Sequence, residues 1–331
     1  MRVTRSSEPF PADSRPRRTR LAPSPTGALH LGNALTFLLN WAAARAGGWT
    51  ILLRIEDLDT PRVKPGAIDE TINILRWLGL DFDDGPIVQS DDLQPYRQAM
   101  RTLAGRGLVY PCELSRGEIE AAASAPQEGV HEIRYPASLR PADRPGAFER
   151  EDVNWRLAVP EGAVAFTDLA QGAQSIDPSQ SVGDFVVWTK RAQPSYQLAV
   201  VVDDARHGVT EVMRGSDLLD SAARQILLYR ALRLEASIPR YTHTALVRGP
   251  DGKRLAKRHG DTRLAEYRRR GVPPHRLIGL FASWADPERF GRREAITAAE
   301  FLDLWSRDGR CKLPIADITF TPEDERWLLD A

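Results

Sequence analysis

A short connection between two apolar segments, residues 22–33, reads APSPTGALHLGN. Its two prolines fix φ and keep the chain from entering a helix too early, so a first strand is expected to end within residues 20–22. Apolar residues then recur at helical spacing over residues 33–46, and Gly47 and Gly48 follow as a stop signal. The sequence therefore predicts a strand, a glycine-containing turn and a helix.

Strand-like and helix-like patterns alternate beyond this connection. Residues 49–55 (WTILLRI) form a short apolar run that is typical of a strand buried on both faces of a parallel sheet. Helical spacing follows over 68–75 and 96–103. The run LAVVV at 198–202 is predicted to be another buried strand, before a helix over 217–234 and a strand over 242–247. This alternation predicts an α/β protein.

The pattern loosens between residue 111 and about residue 183. An alanine-rich helix is expected over 115–124, followed by Pro/Gly-rich segments and short strand-like runs such as 153–159. This region is predicted to be an insertion into the sheet. Residues 272–331 show helical spacing, and residues 1–18, rich in Arg, Ser and Pro, are expected to form a disordered basic tail.

Composition excludes several classes of protein. The 45 Lys and Arg residues balance the 45 Asp and Glu residues, so no overall positive field attracts nucleic acid or a membrane. No apolar run reaches the roughly 20 residues that span a bilayer. The two cysteines lie far apart in sequence, which favours a reducing, cytoplasmic location without disulfides.

The glycine-containing turn has the features of an anion site. Free backbone N–H groups and the helix dipole at a helix N-terminus favour phosphate. The letters match neither the dinucleotide fingerprint nor the phosphate loop of P-loop proteins. His30 could donate to a phosphate oxygen, and Gly32 is small enough for a nucleoside to approach the backbone. A Pro/Gly turn with a helix-capping histidine would explain the same letters without any function.

A second candidate segment, residues 251–260, reads DGKRLAKRHG. Asp-Gly predicts a tight turn, and four cations occupy the six positions 253–258. Such a loop can neutralise the charge that develops as a polyphosphate leaving group departs. A solvated basic loop remains the alternative.

Together the two segments resemble class I aminoacyl-tRNA synthetases, HLGN standing for the HIGH motif and RLAKR for KMSKS. More closely, four ordered segments resemble glutamyl-tRNA synthetases over residues 19–280: PSPTGALHLGN, RIEDLDTPR (54–62), VVVDDARHGVTEVMRGSDLLDSAARQILLY (200–229) and KRLAKRHGD (253–261). The resemblance implies a Rossmann-type parallel-sheet catalytic domain of class I synthetases (19–110 and 188–271), an α+β insertion (111–187) and a small helical C-terminal segment (272–331).

Two departures from that family refine the expectation. The sequence ends without the helical anticodon-binding domain of full-length glutamyl-tRNA synthetases, and Leu218 stands where those enzymes tend to have histidine. Both features resemble short paralogues that activate L-glutamate with ATP without needing tRNA, then transfer it to the cyclopentenediol of queuosine at the wobble position of tRNA(Asp). No obligate protein partner is expected. A truncated synthetase charging the tRNA 3′ end and a non-catalytic glutamate- or tRNA-binding paralogue remain open alternatives.

The resemblance also implies roles for individual residues. His30 and Lys257 are the implied catalytic residues. The implied glutamate pocket consists of Arg20, Ser24, Glu56, Tyr196 and Arg214. The implied ATP-binding residues are Thr26, His30, Gly32, Asn33, Arg254, Leu255, Lys257 and Arg258. Without the motifs, Glu56 would read as a salt-bridged strand end, Arg214 as a loop cap and Tyr196 as a core residue.

Metal expectations differ for the two parts of the protein. Mg²⁺ is expected to accompany ATP, because divalent ions bridge its phosphates. Many short paralogues bind zinc through a Cys-x-Cys, Tyr and Cys set, of which only Cys112 and Tyr135 remain here. Because structural zinc needs about four ligands, no zinc is expected. The arginines at 268–270, 292 and 293 would either contact tRNA phosphates or form solvated helix faces.

Overall fold

The computed structural model describes residues 15–26, 29–122, 134–253, 255, 262–291, 293–307 and 313–330. The strands are β1 (Arg18–Leu21), β2 (Thr50–Ile55), β3 (Asp84–Val88), β4 (Val109–Cys112), β5 (Asn154–Leu157), β6 (Val164–Asp168), β7 (Gly172–Ile176), β8 (Val186–Thr189), β9 (Gln193–Pro194), β10 (Glu211–Gly215), β11 (Arg240–Thr244), β12 (Val247–Arg248) and β13 (Ile318–Thr319).

The α-helices alternate with these strands and then end the described chain. They are α1 (Leu31–Gly47), α2 (Ala67–Trp77), α3 (Gln94–Gly105), α4 (Arg116–Ala122), α5 (Pro178–Ser181), α6 (Tyr196–Arg206), α7 (Leu219–Ala231), α8 (Leu264–Arg269), α9 (Pro274–Ala285), α10 (Ala298–Ser306) and α11 (Pro322–Leu329). Among them, none is both long enough and apolar enough to cross a membrane.

A parallel sheet forms the centre, as the alternating pattern predicts. β1 pairs with β2 and β2 with β3, all parallel, and β10 pairs in parallel with β11. The two groups adjoin at β1 and β10, where the backbone N–H of Thr210 donates to Arg18 O at 2.8 Å. The strands thus form two parallel groups, in the orders β3-β2-β1 and β10-β11, that lie side by side at β1 and β10. The carboxyl ends of these strands lie at one edge, the edge at which open α/β sheets bind ligands.

Helices cover the sheet and bury its apolar residues. The apolar face of α1 packs into one core with α9 and α10, through residues such as Leu38, Phe281 and Phe301, each fully buried. The C-terminal helices α9 and α10 therefore belong to the core of the central sheet. This packing fixes α1, whose first turn reaches the binding edge.

The insertion contributes two β structures. One is an antiparallel sheet in the order β4-β5-β8-β9, which extends past the predicted boundary at 187 to Pro194. The other is the hairpin β6–β7, which joins the parallel sheet because Asp168 on β6 pairs with Tyr241 on β11. The insertion is thus attached to the parallel sheet through β11, whose carboxyl end lies at the binding edge.

The predicted strand at 198–202 is wrong, because these residues lie in helix α6. Its residues from Gln197 to Asp204 are all buried, within a core that includes residues of β8 and α7. A helix that is buried on all sides has no polar face. Its short apolar run therefore shows no helical period and cannot be distinguished from a buried strand by its pattern.

The predicted end of the basic tail at residue 18 is also too late. Arg15 Nη1 donates to Ala236 O at 2.9 Å, and β1 already begins at Arg18. These contacts fix residues 15–18 against the sheet. The rest of the predicted tail, residues 1–14, lies outside the described residues.

Candidate active site

A cavity of about 490 Å³ opens at the carboxyl ends of β1, β2 and β10. All five residues of the implied glutamate pocket line it, although they come from four distant segments of sequence. Four of the implied ATP-binding residues line the same cavity. The predicted site residues on its wall are Arg20, Ser24, Thr26, His30, Gly32, Asn33, Glu56, Tyr196 and Arg214.

The first turn of α1 forms one end of the cavity. His30 is the N-cap, and its Nδ1 accepts a hydrogen bond from the Gly32 backbone N–H at 3.2 Å. The proton of the neutral ring is therefore on Nε2. A Cβ on Gly32 would lie 3.3 Å from the His30 ring, so glycine keeps this turn tight. The capping interpretation of the histidine is correct, and its place on the cavity wall gives the capped turn access to a ligand.

The structure describes the start of the basic segment and the chain that follows it from Thr262, and Thr262 contacts this turn. On one side, Gly249 N–H donates to Lys253 O at 2.8 Å, with Gly252 in the left-handed region at φ +72°. On the other, Leu31 N–H donates to Thr262 O at 3.2 Å. Leu255 is buried in the core and does not line the cavity. The predicted ATP-binding residues Arg254, Lys257 and Arg258 lie outside the described residues.

A buried ion network orders the opposite end of the cavity. Arg54, which is fully buried, donates to Asp204 Oδ1 at 2.6 Å and to Glu56 Oε1 at 2.9 Å. Arg20 Nε lies 3.4 Å from the same Asp204 oxygen. Burial raises the pKa of Asp204, but the positive charges of Arg54 and Arg20 outweigh it and hold this pKa below its usual range. The carboxylate therefore stays ionised and fixes both arginines.

The strand-end interpretation of Glu56 is thus correct in part, since Glu56 does pair with Arg54. The sequence predicts Arg54 only as a possible salt-bridge partner of Glu56 and gives no role to Asp204, although both arginine and aspartate lie within the motifs that carry the resemblance. The missed signal is the Asp203-Asp204 pair after an apolar run. Because Asp203 and Asp204 lie on a helix instead of a strand, both of their buried carboxylates can face Arg54 on β2.

Arg214, on β10, is held by three hydrogen bonds to protein groups. Its Nε donates to His243 Nε2 at 2.9 Å, its Nη1 to Gln225 Oε1 at 2.9 Å and its Nη2 to Leu218 O at 3.2 Å. Gln225 donates in turn to Gln197 Oε1 at 3.0 Å. Each terminal nitrogen keeps a further N–H for a ligand in the cavity. The geometry suits a forked, charge-assisted contact with a carboxylate.

Tyr196 and Ser24 complete the wall between these two ends. Tyr196 is the first residue of α6 and is 39% exposed, so the core interpretation of this tyrosine is wrong. It also lines a neighbouring cavity of about 470 Å³ between the strand ends and the insertion. Ser24 Oγ lies 3.0 Å from Thr26 Oγ1. Tyr196 and Ser24 thus both line the cavity, and each carries a hydroxyl group.

Cys112 and Tyr135, the two zinc ligands that the resemblance leaves in the insertion, make contacts with protein groups. Cys112 Sγ lies 3.6 Å from Tyr135 OH, and Tyr135 OH donates to Leu139 O. Leu114 and Leu139, which occupy the positions of the missing cysteines, pack against the apolar cluster around them. Within the described residues no group of three or more His, Cys, Asp or Glu side chains suits a metal. The described residues around Cys112 and Tyr135 therefore form an apolar cluster and do not by themselves fit a zinc ion.

The arginines of the C-terminal segment make protein contacts where they are described. Arg293 Nη2 lies 2.6 Å from Asp324 and its Nη1 3.1 Å from Glu323, at the start of α11. Arg269 pairs with Glu266, and the Arg268 guanidinium lies 5.6 Å from the Trp77 ring centroid. Residue 292 lies outside the described residues. Arg293 therefore has a structural partner that a phosphate would have to replace.

Comparison with known proteins places these features in a family. The sequence model of tRNA synthetases class I (E and Q), catalytic domain, matches residues 17–305. The chain is 47% identical over 276 residues to a glutamyl-Q tRNA(Asp) synthetase of Symbiobacterium thermophilum, covering 80% of this chain and 84% of that protein. It is 45% identical over 280 residues to a glutamyl-Q tRNA(Asp) synthetase of Rhodopirellula baltica, covering 78% and 82%.

A solved structure extends the similarity to the fold. The crystal structure of a glutamate-tRNA synthetase from Elizabethkingia anophelis superimposes with a TM-score of 0.77 at 25% identity. The superposition covers 95% of this chain and 70% of that protein. The parallel-sheet architecture and its insertion are therefore shared with glutamate-tRNA synthetases.

Proposed function

Because the chain belongs to the class I tRNA synthetases of the glutamate and glutamine group, we propose that it activates L-glutamate with ATP and then glutamylates queuosine in tRNA(Asp). The observation that carries the first step is the cavity that gathers Arg20, Glu56, Tyr196 and Arg214 beside the first turn of α1. The second step is supported by the relatives named glutamyl-Q tRNA(Asp) synthetase.

Glutamate recognition uses the ordered end of the cavity. Arg214 and Arg20 bind carboxylate with forked, charged donors, and Glu56 accepts from the substrate ammonium. Tyr196 contributes its hydroxyl. Glutamine would place a neutral amide where the site offers a buried guanidinium, which leaves that charge without its counterion. The site should therefore prefer glutamate.

Activation joins the two ends of the cavity. The α-carboxylate of glutamate attacks the α-phosphorus of ATP, a P–O bond forms to glutamate, and the bond to pyrophosphate breaks. The nucleophile is already ionised near neutral pH, so no general base is needed. His30 would donate Nε2–H to a phosphate oxygen, which its position on the cavity wall supports, and Lys257 is assigned by resemblance to the phosphates nearest the bond that breaks.

Mg²⁺ would enter with ATP, held by its phosphates, and would neutralise part of their charge. The described residues offer it no cluster of carboxylates or imidazoles of its own. Cationic side chains can also neutralise the charge on the departing pyrophosphate, and the segment 253–258 is the candidate for them.

In the second step a hydroxyl of the queuosine cyclopentenediol attacks the carbonyl carbon of glutamyl-adenylate. An ester forms and the mixed anhydride bond to AMP breaks. The cyclopentenediol is chemically similar to the terminal ribose diol of tRNA, so one catalytic centre suits either acceptor. We propose that the reaction takes place in the cytoplasm, consistent with the two widely separated cysteines.

The decisive experiment locates the product. The purified protein is incubated with ATP, Mg²⁺ and labelled glutamate on tRNA with and without queuosine, and the tRNA is then digested into fragments. We expect label only in the anticodon fragment of queuosine-containing tRNA(Asp). Label on the 3′-terminal adenosine would instead identify a synthetase that charges the tRNA end.

Glutamate-dependent pyrophosphate exchange without tRNA separates an enzyme from a binding protein. We expect exchange with glutamate alone, because the described cavity holds its amino-acid end ordered without any tRNA. Absence of exchange, with glutamate still binding, would favour the non-catalytic paralogue.

A further inference from the structure

The orientation of Arg214 depends on two residues outside the cavity wall. Arg214 Nε donates to His243 Nε2 at 2.9 Å, and His243 Nδ1 lies 2.6 Å from Asp168 Oδ2. The side chains of Asp168 and His243 are fully buried. Asp168 ends strand β6 of the insertion and His243 lies on β11, so three segments meet in one chain of hydrogen bonds.

We propose that Asp168 and His243 are positioning residues for glutamate binding, acting through Arg214. The proposal rests on the proposed function, since it deepens how that site recognises its substrate. It also gives the insertion a part in amino-acid recognition, because Asp168 belongs to the insertion hairpin.

The hydrogen-bond pattern dictates one tautomer of His243. Asp168 Oδ1 accepts from the backbone N–H groups of Ala170 (3.0 Å), Gln171 (2.8 Å) and His243 (3.2 Å), which leaves Oδ2 for the imidazole. An ionised carboxylate only accepts, so Nδ1 must carry the proton. Nε2 then offers its lone pair to Arg214, whose guanidinium only donates. The acceptor Asp168 on one side of the ring and the donor Arg214 on the other therefore require the same Nδ1–H tautomer.

The charges of the three groups agree with this assignment. Burial lowers the pKa of His243 and the charge of Arg214 lowers it further, against the opposing bond to Asp168, so the ring is neutral near pH 7. Burial raises the pKa of Asp168, but the hydrogen bonds from His243 and from the Gln171 backbone outweigh it and lower this pKa overall. Asp168 is therefore ionised and His243 is neutral.

Asp168→Asn tests the tautomer with little change in shape. The amide oxygen keeps the three backbone donors, so the amide NH₂ takes the place of Oδ2 and donates to Nδ1. The imidazole proton must then move to Nε2, where it faces the N–H of Arg214. We expect the KM for glutamate in pyrophosphate exchange to rise about 10- to 100-fold, as for one lost hydrogen bond to a charged group, while the KM for ATP stays within about 2-fold.

Asp177→Asn is the matched control. Asp177 follows the same hairpin and accepts from the Ser179 backbone N–H at 2.9 Å, but it makes no contact with Arg214 or His243. Its substitution should leave the KM for glutamate unchanged. His243→Gln, whose amide oxygen can accept from Arg214, should retain more glutamate affinity than His243→Leu, which has no acceptor.

A spectroscopic readout is independent of activity. Imidazole ¹⁵N–¹H correlation spectra distinguish the two neutral tautomers, and the signal of His243 is assigned among the six histidines by its loss in His243→Gln. We expect the Nδ1–H tautomer in the wild-type protein and the Nε2–H tautomer in Asp168→Asn. A wild-type ring protonated on Nε2 near pH 7.5 would overturn the proposal whatever the activity of the protein.

The two proposals fail in different ways. Wild-type protein without glutamate-dependent exchange would contradict the proposed function, while the spectra would still judge the hydrogen-bond chain. Wild-type exchange combined with equal changes in both KM values for Asp168→Asn would leave the function standing. It would reduce Asp168 to a structural residue and overturn the positioning role.

Discussion

The two ends of the cavity are built in different ways. The amino-acid end includes charged side chains on or just after β1, β2 and β10, and its two arginines are fixed by side chains of other segments, as Asp204 fixes Arg20 and His243 fixes Arg214. The phosphate end, as far as it is described, consists of a local turn in which His30 caps the helix that follows it. A site for a small charged substrate therefore needs side chains that are held by residues distant in sequence, whereas an anion site at a helix N-terminus needs only a short segment.

This difference predicts unequal sensitivity to substitution. At the amino-acid end a lost charge leaves its buried partners uncompensated. At the phosphate end the main-chain donors remain after any side-chain change that preserves the turn. Substitutions of similar size should therefore cost more at the amino-acid end.

The largest effect is expected for Arg214→Gln. Loss of the forked, charged contact should reduce kcat/KM for glutamate activation about 100- to 10,000-fold, the size expected for two hydrogen bonds to a charged group. ATP binding should persist. Pyrophosphate exchange and ATP titration measure the two effects. Arg230→Gln, at an exposed position on α7, is the matched control, and unchanged activation in Arg214→Gln would refute the pocket assignment.

A smaller loss is expected for Glu56→Gln. The amide removes the negative charge that would face the substrate ammonium and that neutralises Arg54. The KM for glutamate should rise about 100-fold. The exposed Glu70→Gln on α2 serves as control. An increase in the KM for ATP alone would place Glu56 at the wrong end of the cavity.

At the phosphate end, His30→Asn tests the phosphate contact separately from the helix cap, because asparagine is also a good N-cap. We expect kcat for activation to fall about 10-fold through loss of one phosphate contact, with the melting temperature unchanged. His30→Ala should in addition lose about 1 kcal/mol of stability with the cap. If His30→Asn lost more activity than Arg214→Gln, the proposed contrast between the two ends would be reversed.

A milder effect is expected from pH, through His243. Asp168, Arg214, the Leu218 carbonyl and the ring of Tyr241 surround this imidazole. Because its pKa is lowered from the usual value of about 6.5, the ring stays neutral at higher pH and gains a proton only below that value. The KM for glutamate should be constant from about pH 8 to 6.5 and rise a few-fold below it.

The same titration affects stability with a definite sign. The unfolded chain binds the His243 proton more tightly than the folded protein does, so the contribution of His243 to stability falls as the pH drops below about 6.5. His243→Gln removes the titrating group, and its KM for glutamate should not depend on pH over this range. A wild-type KM that falls at acid pH would contradict the neutral tautomer.

The smallest effect is expected for chelation. Cys112, Leu114, Tyr135 and Leu139 lie in an apolar cluster, so packing rather than a metal ion is expected to stabilise this part of the insertion. Dialysis against a chelator should leave the melting temperature unchanged, as measured by thermal unfolding before and after treatment. Stoichiometric zinc in protein purified without added metal would overturn this expectation.

Local sequence was sufficient wherever one segment makes its own structure. The strand, turn and helix around His30, the parallel strand at 50–55 and the family itself follow from short motifs, and the fold and the comparisons confirm them. Local sequence predicted α6 wrongly as a strand, because burial on all sides removes the periodicity that distinguishes a helix from a strand.

Motifs of adjacent letters were enough to predict the parallel-sheet fold, the family and nine of the residues that line the cavity. Only the tertiary structure decided how the cavity is ordered. Arg54 meets Asp204 across 150 positions and His243 meets Asp168 across 75. No local pattern encodes such pairs, because two polar side chains become partners only when packing removes both from water and leaves each as the other's best hydrogen-bond partner.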